Sequence, residues 1–107
     1  MPAYAIANLT KVDLNAEVVR YIETIDETLT PFDGRFIVHG KKPEVIEGEW
    51  ADWTVIIAFP DVERAHAWYE SPAYQEILPL RTENSEGATI IVEGVEEGYR
   101  AAGFVSG

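Results

Sequence analysis

The stretch Trp53-Thr54-Val55-Ile56-Ile57-Ala58-Phe59 is the clearest strand in the chain, and it is apolar on both sides. Side chains alternate along a strand, so Trp53, Val55, Ile57 and Phe59 point one way and Ile56 and Ala58 the other. A sheet with one solvated face alternates cleanly between apolar and polar. This strand does not. Ala88 to Glu93 repeats the pattern, with Ala88, Ile90 and Val92 on one side and Ile91 on the other. Both faces of the sheet therefore need cover, and one chain has too few helices for both. The expected cover is the same sheet of a second copy.

Working outward, Pro60 closes the strand and Asp61 is placed to cap a helix. Ala65, Trp68 and Tyr69 form the inner face of that helix. Ser71-Pro72 restarts helical structure, with Ser71 as cap and Pro72 at the first helical position. Tyr74, Ile77, Leu78 and Arg81 follow along one side, and Asn84 to Gly87 reads as a polar loop. Upstream, Ala3 to Leu9 is a short apolar strand and Lys11 to Asp13 a turn, with Asp13 as helix cap. Leu14, Val18, Tyr21, Ile22, Ile25 and Leu29 recur at helical spacing. Pro31 ends that helix, and Asp33-Gly34 turns the chain into a strand over Arg35 to His39. Val45 to Glu47 is a short extended piece, and residues 95–107 form a Gly-rich tail. The order β-α-β-β-α-β predicts a ferredoxin-like α+β domain over residues 1–94, a four-stranded antiparallel sheet with two helices on one face.

The chain has 107 residues, enough for one domain with a modest core. Eight Lys plus Arg against 19 Asp plus Glu give a net charge of −11. An acidic protein of this kind lacks the basic face that nucleic acid or an anionic membrane requires. Neither is expected as a partner. There is no cysteine, which excludes disulfides and thiolate chemistry and fits a reducing cytoplasm. No secretory signal or membrane-spanning run is visible.

Gly34-Arg35-Phe36, Gly40, Glu47-Gly48-Glu49-Trp50, Phe59-Pro60, Ala65, Trp68-Tyr69, Ser71-Pro72, Tyr74 and Leu80-Arg81 resemble the family catalogued as domain of unknown function 1330. The most specific part is Trp-Tyr-x-Ser-Pro-x-Tyr followed by Leu-Arg. The resemblance runs from about Ala3 to Gly94 and implies membership of the dimeric α/β-barrel superfamily. There, two ferredoxin-like subunits pack sheet against sheet. That superfamily includes cofactor-free monooxygenases, lactone isomerases, haem-degrading enzymes and dye-decolourising peroxidases. The resemblance implies a fold and a pocket more strongly than a reaction.

Two residues are candidates for catalysis. Strict alternation places Arg35, Ile37 and His39 on one face of a central strand. Arg35 and His39 would then stand about 13 Å apart at roughly 3.3 Å per residue. His39 can serve as a general base, with Arg35 steadying a developing oxyanion. The simpler reading of His39 is a structural histidine at a strand end. For Arg35 it is an ion pair, with Glu47 the nearest choice by sequence. Trp50, Trp53, Trp68, Tyr69 and Tyr74 form an aromatic set of the kind that lines pockets for flat organic molecules. They also suit plain core filling, Trp68 above all. Arg81 is a second anion clamp or a helix C-terminal cation. His66 falls on the outer side of its helix. Two histidines on separate elements offer no metal-ligand spacing, and neither metal nor cofactor is expected.

The expected function is a small cofactor-independent enzyme: an isomerase, cyclase or monooxygenase-like protein. It would act by proton transfer on a small aromatic or polyketide-like molecule between sheet and helices. The alternative is a non-catalytic small-ligand-binding or accessory protein.

Overall fold

The computed structural model describes residues 1–106, so Gly107 of the tail lies outside the described residues. Its elements are β1 (Ala3–Val12), α1 (Ala16–Leu29), a 3-10 turn (Thr30–Phe32), β2 (Arg35–Val38), β3 (Trp53–Phe59), α2 (Val62–Glu70), α3 (Pro72–Thr82), β4 (Ser85–Glu93) and a short α4 (Ala101–Ser106). The strands form one antiparallel sheet in the order β2-β3-β1-β4. This is the ferredoxin-like α+β plan. No helix among the described residues is long and apolar enough to cross a membrane.

The register assigns the two faces. Ala3, Ala5, Ala7 and Leu9 of β1 lie opposite Phe59, Ile57, Val55 and Trp53 of β3. This row meets the helices. Its core combines Ala3, Ala5, Ile57 and Phe59 with Tyr21, Ile25 and Leu29 of α1, Ala65 and Trp68 of α2, and Tyr74 and Ile77 of α3. The other row carries Tyr4, Ile6 and Asn8 against Ala58, Ile56 and Thr54, and against Val92, Ile90 and Ala88. No helix among the described residues covers it, and Ile90 and Val92 are 53% and 44% exposed.

The helix boundaries follow local chemistry. Asp61 caps α2 by accepting from the Arg64 N–H at 2.8 Å, and the Ser71 hydroxyl accepts from the Tyr74 N–H at 3.3 Å before Pro72 opens α3. The expected cap of α1, Asp13, is displaced by Asn15, whose Oδ1 accepts from the Val18 N–H at 3.0 Å. The reason lies across the chain. β1 continues to Val12, and the Asp13 N–H donates to the Asn84 carbonyl at 2.8 Å, so the helix starts two residues later.

The same pairing corrects the expected loop at residues 84–87. Ser85 and Glu86 join β4 because Val12 and Lys11 stand opposite them across a bulge between Leu9 and Lys11. Gly87 has φ +151°, and a Cβ there would lie 2.7 Å from the Leu9 Cα. Only glycine permits this approach. Val45 to Glu47, expected as extended, forms no strand.

The expectation for β2 fails in an instructive way. β2 is an edge strand, not a central one. Phe36 pairs with Ile57 but Val38 pairs with Ile56, two residues on β2 against one step on β3. This bulge breaks strict alternation. Arg35, opposite Ala58, belongs to the outer face. His39, just past the strand, returns to the helix side, where its ring lies 4.9 Å from that of Phe36. Arg35 and His39 therefore do not share a face.

Candidate functional site

Between α1 and the sheet lies a cavity of about 260 Å³. Its origin is legible in β1. Ala5 and Ala7 present single methyl groups at the middle of the helix-facing row, so Val18, Ile22 and Ile25 of α1 stand above a space they do not fill. Val55, Ile57 and Phe36 complete an apolar floor, and Trp53 and Leu14 line it too. Few groups in these walls carry strong hydrogen-bonding or acid–base chemistry. They are His39, the Tyr21 and Tyr74 hydroxyls and the Arg81 guanidinium, with the weaker hydroxyls of Thr54 and Thr89 also in the lining.

The second wall is aromatic. The Trp68 and Tyr74 rings lie 4.1 Å apart, Tyr69 and Tyr74 5.5 Å, and Phe59 and Trp68 5.5 Å. The Trp68 indole donates to the Thr28 hydroxyl at 2.9 Å, and that hydroxyl donates to the Ile25 carbonyl at 2.7 Å. Trp68 is thus fixed in orientation and 98% removed from solvent at 2% exposure. It is core and cavity wall at once.

Tyr21 and Tyr74 are joined hydroxyl to hydroxyl at 2.7 Å in buried surroundings. The Arg81 guanidinium stands over the Tyr21 ring, 5.8 Å from its centre. Burial, reinforced by Tyr74, pushes the Tyr21 hydroxyl well above the ordinary tyrosine range, so it stays protonated. Burial alone would lower the Arg81 pKa, but the Tyr74 and Tyr21 hydroxyls outweigh it and hold it above the ordinary arginine value. The ion pairs among the described residues, Arg64–Asp33 at 3.6 Å and Arg64–Asp61 at 3.9 Å, do not involve Arg81.

The residues proposed from sequence thus separate. His39, Trp53, Trp68, Tyr74 and Arg81 share the cavity. Tyr69 stacks behind it, in contact with Trp68 and Tyr74. Trp50 lies outside on the β2–β3 connection, 57% exposed, with its indole donating to the Thr54 hydroxyl at 2.9 Å. Arg35 sits on the opposite face of the sheet, and neither the Glu47 pairing nor a place in the cavity is found for it. His66 is exposed on α2. Sequence reasoning missed Tyr21. In the sequence it counts as one more apolar position of α1, and the signal that could reveal it is that a buried tyrosine hydroxyl requires a polar partner. No group of three or more His, Cys, Asp or Glu side chains suited to a metal ion occurs among the described residues.

The family described as domain of unknown function (DUF1330) matches residues 2–95. The chain belongs to this family. No curated protein matches it. Among solved structures, this DUF1330 protein is similar to a structural-genomics target of unknown function from Rhodopseudomonas palustris, at 14% identity and TM-score 0.65, covering 89% of this chain and 83% of that one. It is similar to a dimeric ferredoxin-like protein of unknown function from Jannaschia sp. CCS1, at 15% identity and TM-score 0.60, covering 90% and 100%. A cofactor-independent oxygenase from Streptomyces nogalater is similar at 11% identity and TM-score 0.60, covering 92% and 98%. Identities this low bear on the DUF1330 chain's fold alone.

Proposed function

We propose that this DUF1330 protein is a small cofactor-independent enzyme that moves a proton on a small aromatic or polyketide-like molecule held between α1 and the sheet. The observation that carries the reading is the cavity itself. It is apolar over most of its wall, and the histidine it contains is its natural general base. In the proposed step an imidazole nitrogen of His39 takes a proton from a carbon beside a carbonyl. The C–H electron pair moves into the carbonyl, giving an enolate. Return of the proton to another carbon gives an isomer, with no oxidant or reductant consumed. The cofactor-independent oxygenase of the same fold is compatible with this reading by analogy of fold.

The protein is further proposed to work as a homodimer through the outer sheet face. Ile90 and Val92 are exposed there, and the Asn8 Oδ1 on the same face is buried without a donor among the described residues. A second copy would cover the first two and offer a partner to the third. The dimeric relative from Jannaschia is consistent with this arrangement.

One observation favours a second reading, a ligand-binding module without turnover. His39 is exposed and packs on Phe36 with the ring planes tilted by 54°, and no hydrogen bond orients its ring among the described residues. General bases are commonly oriented by another group. The two readings separate in one experiment. Incubation of 1-(2-naphthyl)butane-1,3-dione with the protein in deuterium oxide, followed by NMR, measures exchange at the acidic carbon above the buffer rate. The enzyme reading expects exchange that His39→Ala reduces by about 10²- to 10⁴-fold. Exchange no faster than in buffer, or equal in the variant, overturns it and leaves the binding module.

A further inference from the structure

Arg81 is the anomaly of the molecule. The chain holds 19 acidic residues and only five arginines. A buried or half-buried guanidinium normally takes a carboxylate, and acidic partners are abundant here. Yet Arg81, partly buried at the cavity wall, has no carboxylate within the 4.0 Å of an ion pair among the described residues. Its neighbours are instead the Tyr21 ring, whose centre is 5.8 Å away, and the Tyr21 and Tyr74 hydroxyls, which are joined to each other.

The donor count sharpens this. A guanidinium carries five N–H donors and no acceptor. In the Tyr21–Tyr74 pair one hydroxyl donates to the other at 2.7 Å, which leaves the second hydroxyl hydrogen free. This end of the cavity is therefore rich in donors, positively charged and without an anion of its own. A planar fork beside a hydroxyl donor matches the two oxygens of a carboxylate. Most of the remaining wall is apolar and aromatic, with Ala5, Ala7, Val55 and Trp68 around a space of about 260 Å³.

We infer that Arg81, Tyr21 and Tyr74 form a receptor for a single carboxylate, and that the natural ligand is a small aromatic monocarboxylic acid whose ring system occupies the apolar cavity. This rests on the cavity as a ligand site, proposed above, but not on proton transfer by His39. A neutral ligand of the same shape would leave the guanidinium without its counter-charge. A dicarboxylate would place its second charge against alanine and valine, which costs far more than it gains.

The test compares 2-naphthoate with 2-naphthamide, which has nearly the same shape and no charge, by calorimetry and by tryptophan fluorescence on the full chain. The wild-type protein should bind the carboxylate roughly 10- to 100-fold more tightly than the amide, the range for a hydrogen bond to a charged group. Arg81→Gln should remove that preference, with the amide's affinity unchanged. Arg81→Lys, which keeps the charge and loses the fork, should fall between them. Tyr21→Phe should weaken the carboxylate about fivefold. Equal affinities for the two probes in the wild-type protein overturn the receptor while leaving the cavity reading intact. Binding of neither probe overturns both. Should Arg81→Gln fail to fold, the wild-type comparison and Arg81→Lys still decide.

Discussion

The two faces of the sheet are built from similar residues and meet opposite fates. The helix side carries Ala3, Ala5, Val55, Ile57 and Phe59 under three helices. The outer side carries Ile6, Ile56, Ile90 and Val92 under no helix among the described residues. The covered face is imperfectly filled, because two alanines of β1 lie beneath α1, and the space they leave collects the aromatic rings, His39 and Arg81. The uncovered face is continuous and almost free of charge, with Arg35 at its edge. A gap with polar groups at its rim suits a small ligand. A flat apolar surface suits another flat apolar surface. The difference between the proposed ligand site and the proposed dimer face comes from side-chain size on one strand, not from hydrophobicity.

The contrast breaks most visibly on the outer face. Ile90→Lys combined with Ile56→Lys places two charges where the dimer is proposed. Each apolar side chain of this size is worth roughly 1.5 to 3 kcal/mol when buried. The double variant should sediment as a folded 12.0 kDa species, and the parent at twice that mass, at micromolar concentration. A parent that itself sediments at 12.0 kDa removes the dimer.

The helix side should respond in stability instead. Trp68→Ala deletes a buried indole and removes the N–H that the Thr28 hydroxyl accepts from at 2.9 Å. The expected loss is about 3 to 5 kcal/mol in urea unfolding, with no change of assembly in whatever protein remains folded. A loss under about 1 kcal/mol would mean that the aromatic wall is not the core of the domain.

The smallest effect concerns pH. Tyr21 has a folded-state pKa raised above the unfolded value of about 10. Its neutral form is favoured in the fold, so the contribution is fully present below about pH 10 and is lost as pH rises further. Stability should fall there by up to about 1.4 kcal/mol per pH unit for this one proton. Tyr21→Phe should remove that share of the alkaline slope. It should cost about 1 kcal/mol at neutral pH for the lost hydrogen bond to Tyr74. An unchanged slope would show that Tyr21 ionises as freely in the fold as outside it.

Much of this was legible in the residues. The two-sided pattern of Trp53 to Phe59 leads directly to the sheet and its uncovered face, and Asp61 and Ser71-Pro72 mark real helix starts. Pairing partners were not legible. Ser85 and Glu86 look like loop because their strand character comes from Lys11 and Val12, over seventy residues away. The site was half legible for the same reason. Periodicity carried Trp68, Tyr74 and Arg81 to one side of α2 and α3. Nothing local shows that Tyr21 meets Tyr74 across 53 positions of chain. Strict alternation puts Arg35 and His39 on one face, and the bulge in β2, which no local residue announces, separates them.

That bulge has a consequence for how such a protein can change over generations. His39 reaches the cavity because β2 carries one residue more than the step it spans on β3 between Phe36 and Val38. Straightening of the bulge with no residue lost would set Ile37 opposite Ile56 and turn the imidazole to the other side of the sheet. No side chain of the main core would be touched, since Ile37 is 45% exposed and β2 lies at the edge. Such a slip of pairing would therefore disconnect the proposed base from its substrate while leaving the scaffold and the proposed carboxylate receptor in place. The reverse slip would reconnect them. In a lineage built on this fold, gain and loss of reactivity can be a matter of strand register rather than of replacement in the site.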